Sequence, residues 1–180
     1  MKHFRQIILP GLDEALKALR DEVLRNEPLW SVDQSRQMRI PVQRHTQSIP
    51  LRAADRKSGD KSKSEDIHDS RVTSLAPAFP ATMSFLSNVA HHLQGSLERA
   101  LYARLFPKAV VYPHIDAGAY YATRDRYHFV LISDSGSNLK SGDEQVVMYP
   151  GELWWFDNKA LHESTNPSDQ WRVHLIFDIF

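Results

Sequence analysis

Leu12, Leu16, Leu19 and Val23 recur at the three- to four-residue spacing of a single helix face. Asp13 and Glu14 fall in what would be its first turn, where the helix dipole favours acids. The spacing predicts an amphipathic helix over residues 12–26 that packs on the main body. A second helix is predicted over 79–93, with Pro80 suited to the first turn and Gly95 to the end. Between the two, residues 47–53 (QSIPLRA) read as extended. Residues 56–66 (RKSGDKSKSED) contain no apolar side chain to bury and are expected to form a mobile surface loop, either a lid or plain disorder.

After Gly95 the pattern changes to short runs rich in β-branched and aromatic residues, at 96–106, 109–112, 127–133, 145–149, 152–156 and 171–179. Turn-forming pieces separate them: Phe106-Pro107-Lys108, Ser135-Gly136-Ser137-Asn138, Ser141-Gly142-Asp143 and Pro150-Gly151. Closely spaced short strands after helices predict a mostly β fold, a jelly roll or barrel flanked by an N-terminal helical layer. With no internal repeat, heptad or second hydrophobic block, 1–180 reads as a single domain. Residues 1–95 would supply the helical layer and a lead-in strand, and 96–180 the β core.

Composition narrows the function classes. Apolar residues make up 42% and charged residues 24%, an ordinary globular balance. Twenty-two basic residues offset twenty-two acidic ones, so no overall field draws the chain to nucleic acid or anionic lipid. The absence of cysteine excludes disulfides, zinc–thiolate sites, iron–sulfur clusters and thiol nucleophiles, and suits a reducing compartment. The N-terminal apolar run is broken at Pro10 and Gly11, unlike a signal peptide, and no stretch approaches the ~18 apolar residues of a membrane span. The expected location is the cytoplasm, with neither nucleic acid nor membrane as partner.

The candidate chemistry begins with His114 and Asp116, which in an extended segment point to the same side. His162 follows 46 residues after Asp116. Two imidazoles and one carboxylate suit non-haem iron(II), because they hold the metal while leaving other positions open. A buried histidine oriented by a nearby carboxylate is the bland alternative. Arg172, ten residues past His162 in a largely apolar strand, is costly to bury without an anion and matches a carboxylate; its alternative is a solvent-facing strand start. Arg126 and His128 share one face of another strand.

Taken together, residues 113–178 resemble the aspartyl/asparaginyl β-hydroxylase family of 2-oxoglutarate oxygenases. The matching pieces are PHID (113–116), RYH (126–128), GELWWFD (151–157), LHESTN (161–166) and WRVHLIFD (171–178), in the family's order and spacing. QRHTQSIPLR (43–52) is similar to the strand that precedes the core in bacterial members. The resemblance implies a double-stranded β-helix (jelly-roll, cupin-like) core with iron(II) held by His114, His162 and, as in the small proline-hydroxylating branch, Asp116. It implies that Arg172 binds one carboxylate of the cosubstrate 2-oxoglutarate, that Arg126 and His128 lie near the other, and that O2 is the oxidant. Ala103 stands where some members carry a serine that helps hold the cosubstrate.

The function this implies is a dioxygenase that hydroxylates an amino acid, a peptide or a related small molecule. A non-catalytic metal-binding cupin-like protein, or a hydroxylase of protein side chains or lipids, stays open. Asp157 and Asn158 are expected to shape a turn or orient a ligand, and Trp154, Trp155 and Phe156 to be core on one face and partly exposed on the other. His174 reads as a core histidine and His91-His92 as solvated surface. His45, Tyr120, Tyr121 and Arg124 are candidate substrate contacts near the mouth.

Overall fold

Two antiparallel sheets, seven-stranded and four-stranded, sandwich an inner layer of side chains, and helices cover the outer face of the larger one. The computed structural model describes residues 1–54 and 70–180. The loop expected at 56–66 lies outside the described residues.

In chain order the strands are β1 (Phe4–Ile7), β2 (Thr46–Ala54), β3 (Ser70–Val72), β4 (Leu97–Leu105), β5 (Ala109–His114), β6 (Asp125–Ile132), β7 (Asn138–Ser141), β8 (Glu144–Val147), β9 (Leu153–Phe156), β10 (His162–Asn166) and β11 (Arg172–Ile179). The larger sheet runs β1-β9-β6-β11-β4-β2-β3 and the smaller β5-β10-β7-β8. This is the jelly-roll architecture expected of the chain. The helices are α1 (Leu12–Arg25), α2 (Ser35–Arg39), α3 (Pro80–His92) and α4 (Ala119–Ala122). The two long helices fall within a residue of their expected bounds, whereas β1, β3, β7, β10, α2 and α4 were not anticipated.

Alternation along β6 and β11 explains both the core and the site. Tyr127, Phe129 and Leu131 on β6, with Val173, Leu175, Phe177 and Ile179 on β11, join the cluster that includes Leu19 and Val23 of α1 and Leu86 and Val89 of α3. The intervening residues face the other sheet, and most are polar: Arg126, His128, Arg172, His174 and Asp178, all buried. A second apolar cluster of Phe4, Val130, Leu139, Val146, Met148, Trp154 and Phe156 closes the inter-sheet space beside them. Trp154 and Trp155 thus serve opposite faces, but Trp155 is half-buried against the helical core, with the Arg5 guanidinium 5.5 Å from its ring.

The helical layer is fastened by one buried carboxylate. Glu22 of α1 accepts hydrogen bonds from the backbone N–H groups of Ala81 and Thr82 and from the Thr82 hydroxyl, at 2.6–2.9 Å. These N–H groups at the start of α3 have no partner within their own helix, so the acid caps α3 from the neighbouring helix.

Candidate metal centre and its flanking cavity

Strands β5 and β10 lie side by side, and their register sets His114 opposite His162 with ring centroids 4.2 Å apart. Asp116 follows two residues after His114, and one ligand atom from each of the three lies within 4.8 Å of the others. His162 is buried, while His114 and Asp116 are partly open to solvent.

Each imidazole is oriented by the same device. Nδ1 of His114 lies 2.7 Å from the Tyr112 carbonyl, and Nδ1 of His162 lies 3.0 Å from the Ala160 carbonyl. A carbonyl can only accept, so both protons sit on Nδ1 and both Nε2 lone pairs remain available to a metal. Burial lowers the proton affinity of His162, which favours the neutral, ligating form.

Asp116 is held from two sides. Its backbone N–H donates to the Asn158 carbonyl, and its Oδ2 accepts from the Asn158 amide at 3.0 Å and from Nη1 of Arg126 at 2.6 Å. Burial alone pushes this carboxyl up, but the Arg126 guanidinium and the Asn158 amide outweigh it, and the net shift is downward. The acid is therefore ionised, with its other oxygen left for a cation. Asn158 thus orients Asp116 through both its carbonyl and its amide. The donor set fits iron(II): two imidazole nitrogens and an ionised carboxylate, borderline and hard ligands whose atoms lie within 4.8 Å of one another.

Arg172 lies behind the histidines on the wall of a narrow cavity that His114, His128, His162, Ser164 and His174 also line. It is 7% exposed. Nη1 reaches only the Ser164 hydroxyl, at 3.5 Å, and Nη2 is buried with no hydrogen-bond partner. Burial pushes this guanidinium down to about 10. No carboxylate pairs with it among the described residues, so its charge is buried without a counter-ion. Ala103 also lines the cavity, a methyl where a hydroxyl was looked for.

Arg126 behaves differently. Nε and Nη2 donate to the two oxygens of Asp178 at 2.8 and 2.9 Å, while Nη1 donates to Asp116. Expected beside a cosubstrate carboxylate, it lines the same cavity but is committed to two protein carboxylates. His128 and His174 meet Nδ1 to Nδ1 at 3.2 Å, so one ring donates to the other. Burial, reinforced by Arg172, drives both well below the ordinary histidine range and keeps both neutral. Nε2 of His174 is buried without a partner, so His174 belongs to the polar cavity rather than to a satisfied core.

The other candidates disperse. His91 and His92 are exposed, as expected. Tyr120 is buried and donates its hydroxyl to Asp178, and Arg124 pairs with Glu98, so neither stands at the mouth. His45 packs against Tyr112. Tyr121 stacks beside Arg126 and lines an outer cleft described below. Three participants went unnoticed in the sequence: Ser164, Asp178 and Arg36. Ser164 and His162 share a strand face, a signal that was there to read once 162–166 was seen as a strand. Arg36 carried none.

Comparison with known proteins bears on the family and the fold. The sequence profile described as aspartyl/asparaginyl beta-hydroxylase matches residues 15–180. A curated relative, L-proline cis-3-hydroxylase 2 from Streptomyces sp, is 33% identical over 90 residues, which is 48% of this chain but 29% of that protein. The chain thus matches under a third of that relative's length. Among solved structures, a 2OG-Fe(II) oxygenase family oxidoreductase from Burkholderia pseudomallei superposes with a TM-score of 0.61 at 11% identity, covering 97% of this chain and 92% of that one. A prolyl-4-hydroxylase from Pseudomonas putida gives 0.59 at 14% identity, covering 98% and 92%. The viral collagen prolyl hydroxylase of Paramecium Bursaria Chlorella virus-1, in its 2OG complex, gives 0.59 at 11%, covering 98% and 95%. These three share the fold. A profile match over almost the whole length, on a chain whose signature residues converge in space, makes it a member of the aspartyl/asparaginyl β-hydroxylase family.

Proposed function

We propose that this protein is an iron(II)- and 2-oxoglutarate-dependent dioxygenase that hydroxylates an amino acid, a peptide or a related small molecule. The observation that carries the reading is Arg172, a buried guanidinium without an anion beside two histidines whose free Nε2 atoms face a carboxylate. A barrel that merely stored a metal would have no use for that charge.

His114, Asp116 and His162 would hold the iron. Arg172, supported by Ser164, would receive the distal carboxylate of 2-oxoglutarate, and the guanidinium fork makes that recognition directional. His128 flanks the remaining space, where its neutral ring offers one donor or acceptor to the cosubstrate's other end. Arg126 keeps Asp116 ionised and aimed, and adds what N–H capacity its two ion pairs leave over. Bound iron(II) would supply the activation of O2, coupling conversion of 2-oxoglutarate to succinate and carbon dioxide with insertion of one oxygen atom into a substrate C–H bond. The protein's share is to place both reactants and to keep bulk water out of a cavity walled by Phe156, Leu139 and the histidines.

The relatives named as proline hydroxylases make free or peptidyl proline the first substrates to try. The test is succinate release from 2-oxoglutarate by the iron-loaded chain, with and without candidate amino acids. Substrate-stimulated release that disappears in His114→Ala supports the proposal. Release that persists after iron is stripped would refute it.

A further inference from the structure

Outside the metal centre, the larger sheet carries an open cleft of about 260 Å³ that has Asp116 and His114 at its inner end. Its charged lining is lopsided: four arginines, Arg36, Arg52, Arg99 and Arg126, against Asp116 as the sole acid among the described residues. Three of the four cations are occupied. Arg126 is neutralised by Asp116 and Asp178. Arg52 donates to Ser70 and to the Glu98 carbonyl. The Arg99 guanidinium carbon lies over the Tyr120 ring, 3.6 Å from its centroid.

Arg36 is the exception. It lines both this cleft and the inner cavity that holds His114, His162 and Arg172, so its side chain stands where the two meet. Its Nε is buried and has no hydrogen-bond partner, and no carboxylate among the described residues pairs with it. Burial, followed by repulsion from Arg126, lowers its proton affinity despite the pull of Asp116 and Asp178, so the charge is held at this junction at an electrostatic cost. Two local hydrogen bonds fix the short helix that presents it. Asp33 Oδ1 accepts the Ser35 N–H at the start of α2, and Ile40 N–H closes its end on the Arg36 carbonyl.

We propose that Arg36 is the specificity-determining residue of the site and binds a carboxylate on the substrate, so that substrates are small molecules with a free carboxylate, such as an α-amino acid. The inference rests on the dioxygenase reading above. Arg172 sits deep beside the histidines and serves the cosubstrate; Arg36 sits at the entrance and faces whatever enters after it. A guanidinium there would pin the acid end of an amino acid near the mouth and direct its side-chain carbons toward the metal. Neutral molecules of the same shape would leave Arg36 desolvated and unpaired, a penalty that supports discrimination.

The experiment compares the twenty proteinogenic L-amino acids with their α-carboxamides as stimulants of succinate release, using the full iron-loaded chain as wild type, Arg36→Gln and Arg36→Lys. Anaerobic 2-oxoglutarate affinity is measured for all three. The expected result is that the best amino acid outperforms its carboxamide at least tenfold in kcat/KM, mainly through KM. That preference should collapse toward unity in Arg36→Gln and partly return in Arg36→Lys, with 2-oxoglutarate affinity held within twofold. Binding of the same amino acid and amide to the zinc-substituted, cosubstrate-loaded protein should follow the same order without turnover. A preference that survives Arg36→Gln, a loss of 2-oxoglutarate affinity in that variant, or a wild type that binds 2-oxoglutarate yet responds to no amino acid would each overturn the proposal. A wild type that fails to bind 2-oxoglutarate at all would instead bring down the dioxygenase reading beneath it.

Discussion

Arg172 and Arg126 are both buried guanidiniums on the inner face of the larger sheet, yet their surroundings predict opposite responses to the same substitution. Arg172 has no carboxylate to neutralise it. An unpaired buried charge costs stability, so replacing it by an apolar side chain of similar size relieves that cost. Arg172→Met should therefore melt no lower than the wild type in calorimetry while its affinity for 2-oxoglutarate falls at least tenfold. Arg126 balances Asp178, which is 1% exposed. Arg126→Met would strand that carboxylate and release Asp116, and a loss of ~3–5 kcal/mol is expected on denaturant unfolding. Metal affinity should drop ~10–100-fold as well, because Asp116 loses the partner that orients it. The sequence exposed the identity of these residues but not their difference. Both read as arginines in apolar strands, and only the fold revealed that Asp178, fifty-two positions away on the adjacent strand, already belonged to Arg126.

At the scale of elements, legibility followed apolar patterning. Helices α1 and α3 and the strands β4, β6, β9 and β11 bury apolar faces, and each was visible in the sequence. Strand β10 was not, since HESTN has no apolar residue to alternate. It is nonetheless a strand between β5 and β7, with His162, Ser164 and Asn166 buried, because the first two line a polar cavity and Asn166 donates to the backbone carbonyls of Phe106 and Gln170. A strand that supplies a site in place of a core gives no hydrophobic period to read. Helix α2 escaped for a related reason: at five residues it carries no apolar stripe and presents Arg36.

Two predictions belong to these elements. Glu22→Ala removes the cap that α1 gives α3 and leaves the Thr82 N–H buried without a partner, although its hydroxyl keeps the Tyr102 hydroxyl, which should cost ~1–3 kcal/mol in urea unfolding. Glu22→Gln, able to accept but uncharged, should cost less. At the start of α2, the hydrogen bonds to Ser35 hold the Asp33 carboxyl below its ordinary value. A folded-state pKa below the unfolded one adds stability that is complete above the unfolded value, near 4, and is lost as pH falls through the folded value. The stability gap between wild type and Asp33→Ala should thus be constant from pH 7 to about 5 and shrink toward pH 3.

For the molecule as a whole, the helical layer and the larger sheet form a rigid backing, and the smaller sheet brings His114 and His162 against it. No helix among the described residues is long and apolar enough to cross a membrane. Because the three candidate ligands come from two distant stretches of chain, 114–116 and 162, a bound metal would tie folded elements together, and binding to the native state alone would stabilise it. Manganese(II), a redox-quiet stand-in, should raise the melting temperature of the wild type. It should leave His114→Ala and His162→Ala unchanged, as a thermal scan would report.

The most direct measurement is anaerobic: iron(II) and 2-oxoglutarate added to the purified chain, followed by visible absorption spectroscopy. A new band that needs both additions, weakens in Arg172→Met and is absent in His114→Ala is what a shared metal and cosubstrate site predicts. No band in the wild type, or one that survives His114→Ala unchanged, would contradict it.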